Sequence, residues 1–468
     1  MHLSPFTIKS AGVFLACVLA GCQTVQTKKQ MVNFDQVYQA GQYSTAATIA
    51  KNQGSIDKEG TSKDLLWSLQ AGAALSDSAD YTMSNAVLDG AESFMKIEDL
   101  ESLLKKGGEQ FTAVMLNNSF NDYDPTVYDG VMVNTIKAVN YFKLKDFQNA
   151  RIEFNRAAER QRLAEEFFIK KIEEQNKKKQ KEGSAANFDQ NMSSSMTAVD
   201  EEFRELDSWA VYPDFVNPYT DYMHSMFFFL SGAGGSDLGK ARESIRRVVG
   251  MAPGNKYIKT DLAVIDNVAK GRWKMRNLKP TVWVIFENGL APKVEEILIP
   301  LPLVLVTDKL HYSQIALPKL VERQSAYPYL NVSTSKNKGV KTEELGSIER
   351  VIQTEFKKDY PFRVTQAVMS TVVKAAIQYE LQKKGGIASM FGALYQAVTT
   401  RADTRSWTSL PKEYQVARLS KPSDGKLTIT APGSSQELNI DLPAGQFMIV
   451  HVKAATADSG ITYDVTAL

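Results

Sequence analysis

Cysteine is nearly missing from this chain. Two occur in 468 residues, Cys17 and Cys22, both close to the N-terminus. If that segment is processed as argued below, the mature chain has no thiol for nucleophilic catalysis, for a disulfide or for zinc. Histidine is almost as scarce. Of four, His2 lies in the same segment, and His224, His311 and His451 are too far apart for a metal-ligand spacing, so no metal is expected. Charge of one sign is lacking too. Lys+Arg number 55 and Asp+Glu 53, which gives no electrostatic case for nucleic acid. Beyond the N-terminus no apolar run is both long enough and free enough of charge to span a bilayer.

What is present at the N-terminus reads as a processing signal. Lys9 supplies a positive start, and residues Ala11 to Ala20 form a short apolar stretch. Leu19-Ala20-Gly21-Cys22 follows and resembles a lipobox. Small residues enter the groove of a lipoprotein signal peptidase, and the Cys22 thiol takes the diacylglycerol. The expectation is a signal peptide over 1–21 and a lipidated N-terminus with a polar tether over 22–33. Each buried methylene of an acyl chain contributes roughly 0.8 kcal/mol, and more than one chain gives stable anchoring. Gln23, rather than Asp, follows the cysteine. By resemblance to lipoprotein sorting rules this implies the periplasmic face of the outer membrane.

Residues 34–272 carry a helical repeat pattern. Ala138 and Tyr141, Phe147 near a turn, then Ala150, Phe154 and Ala157 have the spacing of a tetratricopeptide repeat. Small residues let two helices approach, and large ones fill the gap. Gly72, Leu75, Tyr81, Ser84, Leu88 and Ala91 occupy the same slots in a second copy. Phe34, Val37, Tyr43, Ala46 and Ala50 form a weaker one, and Phe229, Ala241, Ile245 and Val248 form a fourth after Pro218. Lys170 to Glu182 is strongly charged and Gly183 to Ser195 is rich in Ser, Asn and Ala. This predicts a solvated helix end and a mobile insertion near 170–200.

From 273 to 468 the pattern turns β-rich. Thr281 to Phe286 is β-branched and aromatic, and Glu287-Asn288-Gly289 supplies a turn. Extended pieces are expected at Glu296–Pro302, Leu303–Thr307 and Tyr312–Leu317, the prolines marking edges or strand ends. Two helices are expected at Leu345–Lys357 and Arg363–Lys384, and a short apolar one at Ile387–Val398 that packs on the sheet or contacts a membrane. Five short terminal strands with tight turns suggest a small sandwich or barrel. The fold class is therefore α+β: a tetratricopeptide-like α-solenoid followed by a mixed, β-rich domain.

Candidate chemistry is thin. Gly234 to Ala241 nearly matches a phosphate-binding loop, but Ala241 replaces the magnesium-binding hydroxyl and a helix, not a strand, is expected before it. Ser102 and Lys105 match a bare Ser-x-x-Lys spacing without its companion motifs. The acidic pairs Glu165/Glu166 and Glu343/Glu344 sit in polar surroundings. No cofactor and no catalytic residue are assigned. Asp403, Arg405 and Trp407 join the last helix to the terminal strands and form a candidate junction or recognition segment.

Cys22, the Asp64–Gly72 helix, the Trp283–Pro292 segment and Asp403–Pro411 together resemble a family of Gram-negative outer-membrane lipoproteins with tetratricopeptide-like N-terminal halves. The chain is similar over its whole mature length. The family looks related to lipoproteins that activate penicillin-binding proteins, which implies a role in envelope assembly and brings no active-site residues. The resulting expectation is a membrane-anchored scaffold for envelope proteins, not an enzyme. Two alternatives stay open: an envelope hydrolase or transferase with its site in the C-terminal half, and a structural or lipid-contacting part of a secretion or surface assembly.

Overall fold

The computed structural model describes residues 29–95, 123–182, 188–213, 215–304, 310–384 and 401–468. Cys22, Ser102, Lys105 and the 387–398 segment lie outside the described residues. Helix makes up 51% and strand 20%, which makes the chain α+β.

Helices come first. They are α1 (29–39), α2 (Tyr43–Gln53), α3 (Leu65–Asp77), α4 (Tyr81–Glu92), α5 (Val127–Lys143), α6 (Phe147–Glu182), α7 (Phe188–Glu202), α8 (Pro218–Leu230), α9 (Gly235–Met251) and α10 (Lys256–Ala269). Their starts are set by side-chain caps, each filling backbone donors left open in a first turn. Asp64 accepts from Trp67, Asp80 from Met83, Asn217 from Tyr219 and Thr220, and Asn255 from Tyr257 and Ile258. Thr126 and Asp129 form a reciprocal capping box on α5. Neighbouring helices pack in sequence, α2 on α3, α3 on α4, α5 on α6, and α8 on α9. Gly72 is where α3 and α4 come closest: a Cβ there would lie 2.3 Å from Leu88 Cδ2. Ser84 Oγ donates to the Gly72 carbonyl at 2.7 Å.

The strands are β1 (Thr281–Asn288), β2 (Lys293–Val304), β3 (Leu310–Val321), β4 (Asn331–Thr334), β5 (Asn337–Lys341), β6 (Glu343–Ser347), β7 (Glu413–Ser420), β8 (Lys426–Thr430), β9 (Glu437–Asp441), β10 (Phe447–Ala454) and β11 (Thr462–Ala467), with α11 (Ile348–Lys384) between β6 and β7. They form a five-stranded sheet ordered β11-β10-β1-β7-β6, a four-stranded sheet ordered β5-β4-β8-β9 and a β2-β3 ribbon. In the larger sheet β1 and β10 run parallel and the other pairs antiparallel.

Three expectations are corrected and a fourth holds. The terminal strands do not make a unit of their own. β7, β10 and β11 join β1 and β6, while β8 and β9 join β4 and β5, because long-range pairing leaves no sequence signal. The insertion near 170–200 is not a loop throughout: Phe188–Glu202 is helical, with Met192 and Val199 buried. The two expected helices after residue 345 are one, with Pro361 inside it, and Leu345 belongs to β6. The prolines of the ribbon do lie on edges, as expected, because both strands of a two-stranded ribbon are edge strands. Pro300, Pro302 and Pro318 pair with Gln314, Tyr312 and Glu296 in one alternating register set. That set carries the N–H groups pointing away from the partner strand, so their loss breaks no ladder bond.

One apolar core runs through both halves. Leu69, Met132, Phe142 and Phe227 of the helices share it with Trp283, Ile285, Ile449 and Val416 of the five-stranded sheet and with Ile429 and Ile440 of the smaller one. The change at 272/273 is thus a change of secondary structure within a shared core. A separate cluster joins α7, the ribbon and α11 through Phe203, Ile299, Ile315 and Val368.

Candidate functional site, a charged cleft between helices and sheet

The registers of the five-stranded sheet line up three rows on the face turned to the helices: Tyr414/Glu287/Lys453/Thr462, Val416/Ile285/His451/Asp464 and Arg418/Trp283/Ile449/Thr466. The third row is closed by α8 and α10. Trp283 Nε1 donates to Asp261 Oδ1 at 3.0 Å, Arg418 pairs with the same oxygen at 2.9 Å, and Tyr222 donates to Asp261 Oδ2 at 2.9 Å.

Around the other two rows the helices leave a cleft of about 90 Å³. Space for a water needs only about 10–15 Å³ by such a measure, so a small organic group fits. Its walls come from the end of α3 (Asp77), the start of α4 (Tyr81), α5 (Lys143), the start of α8 (Tyr219), the segment before β7, and strands β1, β7, β10 and β11.

Two ammonium groups sit in it. Lys453 Nζ is 3.0 Å from Asp77 Oδ1 and 3.2 Å from Glu287 Oε2, and lies over the rings of Tyr38 and Tyr43. Burial opposes its charge, but Asp77 and Glu287 overcome this and hold it protonated well above the ordinary lysine value. Lys143 Nζ is 2.6 Å from Asp464 Oδ2 and 4.8 Å from the centre of the Tyr81 ring. Tyr81 donates to the same Asp464 oxygen at 3.0 Å. Burial would raise the Asp464 carboxyl, yet Lys143 and His451 bring it below its usual range.

Among the described residues, three groups on the cleft find no protein partner. His451 is 5% exposed, and its ring makes no hydrogen bond among the described residues; its Nδ1 is fully buried and unpartnered. Burial first, and Lys143 second, push its pKa down to about 4, so it is neutral at pH 7. Tyr219 and Tyr414 stack with ring centres 3.4 Å apart and planes 2° apart. Both line the cleft, and neither hydroxyl has a protein partner among the described residues.

The residues chosen from the sequence are scattered over other roles. Gly72, Leu75, Ala91, Ala138, Ala150, Phe154 and Ala157 are packing residues inside the helical layer. Tyr141 is partly buried, and Phe147 begins α6 and is 38% exposed. Tyr81 reaches the cleft. Asp403 and Arg405 pair with each other at 2.7 Å. Trp407 is buried and donates to Ser409 Oγ at 2.9 Å. Its neighbours bind the first helices: Thr408 Oγ1 donates to Asp35 at 2.6 Å, and Gln70 Nε2 donates to Thr408 Oγ1 at 3.0 Å. His224 meets Ser244 at 3.0 Å deep inside α8/α9, where burial lowers its pKa to about 3.

Sequence reasoning missed Asp77, Lys143, Tyr219, Glu287, Tyr414, Lys453 and Asp464. A usable signal existed in β10, where His451 and Lys453 interrupt a run that is otherwise apolar and wholly buried. Among the described residues, no group of His, Cys, Asp or Glu could hold a metal, and no helix is long and apolar enough to cross a membrane. Comparison of the chain with family models, with curated proteins and with solved structures finds no match.

Proposed function

We propose that this chain is a lipid-anchored protein of the outer membrane, facing the periplasm, that serves as a binding scaffold in envelope assembly or maintenance, with the cleft as its recognition site. The observation that carries this is the unsatisfied cleft where the halves meet. It holds a buried imidazole and two tyrosine hydroxyls that no protein group engages among the described residues. Such groups cost about 1–3 kcal/mol each when left unpaired and dry, so the site is built to be wet or occupied. The Leu19–Cys22 lipobox supports the anchor. Sequential packing of α2 to α6 and of α8 on α9, with Gly72 at a close approach and Ala138 and Ala150 fully buried, supports a tetratricopeptide-like reading of the helical half. The sheet covers one face of these helices, so the recognition surface is the cleft and not an open solenoid groove.

Two measurements test this. A photocrosslinking residue at Tyr463, which lines the cleft and is 45% exposed, is compared in cells with one at Ile169, which is 54% exposed and away from it. A discrete adduct from Tyr463 alone is expected; equal yields from both positions would remove the cleft from the proposal. Cys22→Ala should release the protein from the membrane fraction and abolish lipid labelling. Unchanged fractionation removes the anchor.

A further inference from the structure

The unfilled valences of the cleft state what kind of group belongs there. Two lysines and three carboxylates line it, with His451 neutral, which leaves a formal charge of −1. Both ammonium groups are ion-paired, yet carboxylate oxygens remain without a partner among the described residues. Lys453 is shared between Asp77 and Glu287, and Lys143 is engaged by Asp464 and the Tyr81 ring. Asp77 spends its second oxygen on Tyr38. Glu287 Oε1, Asp464 Oδ1 and the His451 ring have no donor among the described residues. A carboxylate can accept only, and a neutral imidazole accepts at one nitrogen and donates at the other. The remaining Tyr219 and Tyr414 hydroxyls can donate or accept. Excess negative charge, spare acceptors and aromatic walls all favour a cationic donor, which gains from charge-assisted hydrogen bonds and from the faces of tyrosine rings.

We infer that the cleft binds a small molecule through a primary ammonium group, held by Glu287 and Asp464, with the Tyr219 and Tyr414 hydroxyls on its polar remainder. This rests on the reading of the cleft as a recognition site. A small size follows from the roughly 90 Å³ available. A neutral polyol would supply donors but leave the excess charge unanswered. An anion would be repelled by it.

The test uses the full-length lipidated protein in detergent, with histidine carrying a carbon-13 label at Cε1. The His451 signal is assigned by its loss in His451→Gln. Putrescine and glucosamine are the amine probes; N-acetylglucosamine and glucose are the uncharged counterparts. At least one amine should shift the His451 signal saturably, and the uncharged sugars should bind about tenfold more weakly or worse, since a hydrogen bond to a charged group carries that much. Glu287→Gln or Asp464→Asn should weaken the amine by a similar factor; two variants are used because Glu287 also pairs with Lys453, and thermal melts check that each folds. Equal binding of glucosamine and N-acetylglucosamine, or unchanged amine binding in both variants, would overturn the ammonium assignment. If the amines are silent but a small-molecule extract of the envelope moves the His451 signal, the ammonium inference falls and the recognition cleft stands. If neither moves it, both fall.

Discussion

Two buried lysine clusters share helix α5, through Lys137 and Lys143, and behave as opposites. Lys137 on α5 is fully buried and surrounded by Asp89 at 2.6 Å, Glu92 at 2.5 Å and Glu153 at 3.1 Å. Arg160 and Asn134 complete the set: Arg160 Nε donates to Asn134 Oδ1 at 2.6 Å, and Asn134 Nδ2 donates to Glu92 and Glu153 at 2.9 and 2.7 Å. Burial alone would raise the Glu92 carboxyl, yet Lys137 and Asn134 bring it down to about 2. The cluster ties α4, α5 and α6 together. In the cleft, Lys453 and Lys143 are also paired, but His451, Tyr219 and Tyr414 are left over, and the volume among them is open. The same residue types thus do two jobs. Where a buried ammonium is surrounded by three carboxylates, charge fixes the packing of helices. Where valences remain and space remains with them, charge is available to a ligand.

The largest effect should come from Lys137→Met. It removes the cation shared by Asp89, Glu92 and Glu153 and leaves the two buried carboxylates only the flanking Arg156 and Arg160, and breaking such a set costs about 3–5 kcal/mol. A strongly lowered melting temperature is expected, with cleft binding intact at temperatures where the protein is folded. Lys453→Met removes an equally buried cation, but water in the cleft can solvate Asp77 and Glu287. The expected loss is smaller, about 1–3 kcal/mol. Equal losses in calorimetry or denaturant titration would mean that the cleft is as closed as the Lys137 cluster, and the contrast would fail.

Acid should take the two clusters apart in order. His451 in the folded protein titrates at about 4 against its ordinary 6.5. A depressed value means the unfolded chain binds the proton first. The stability it contributes is therefore complete above pH 6.5 and lost as pH falls toward 4. Glu92 is depressed from 4.5 to about 2, so its contribution is complete above pH 4.5 and lost toward pH 2. Glu355 has the opposite sign. Burial raises it to about 8, and its contribution is fully present below 4.5 and lost as pH rises through 8. His451→Gln separates these: melting curves of wild type and variant should converge between pH 6.5 and 4 and run parallel below it. A constant difference across that window would show that the imidazole charges freely in the folded state.

How much of this was legible in the sequence depends on range. Helices were, because capping residues such as Asp64 and Asn217 and small–large alternations such as Ala150-Phe154-Ala157 act within a few residues. β1 was, because Thr281 to Phe286 is buried on both faces and reads as an unbroken apolar run. Strand partners were not. Nothing local says that β1 lies beside β10 some 160 residues on. The cleft was hidden for the same reason: Asp77, Glu287, Lys453 and Asp464 are brought together by that pairing, and each alone looks like an ordinary surface charge. The Asp403–Pro411 segment fell in between. Its unusual composition was visible, but its contacts with Asp35 and Gln70 needed the docked first helices.

The smallest effect is the most discriminating. The spacing of Tyr81 marks it as a repeat-packing residue, and its ring does sit at the start of α4. Its hydroxyl, however, crosses to β11 and donates to Asp464 at 3.0 Å, at the mouth of the cleft. Burial pushes that phenol up to about 12, so it is a donor at any working pH. Tyr81→Phe keeps the ring, the contact with Lys143 and the packing, and removes one hydrogen bond that water can replace. Stability should change by only about 0.5–1.5 kcal/mol. Freed of one donor, Asp464 becomes a stronger acceptor, so amine binding should hold or tighten slightly. A residue serving repeat packing alone would leave that affinity where it was. A loss of binding would instead mean that the Tyr81 hydroxyl itself contacts the ligand, and would move the site outward from His451 toward the rim formed by Tyr81 and Tyr463.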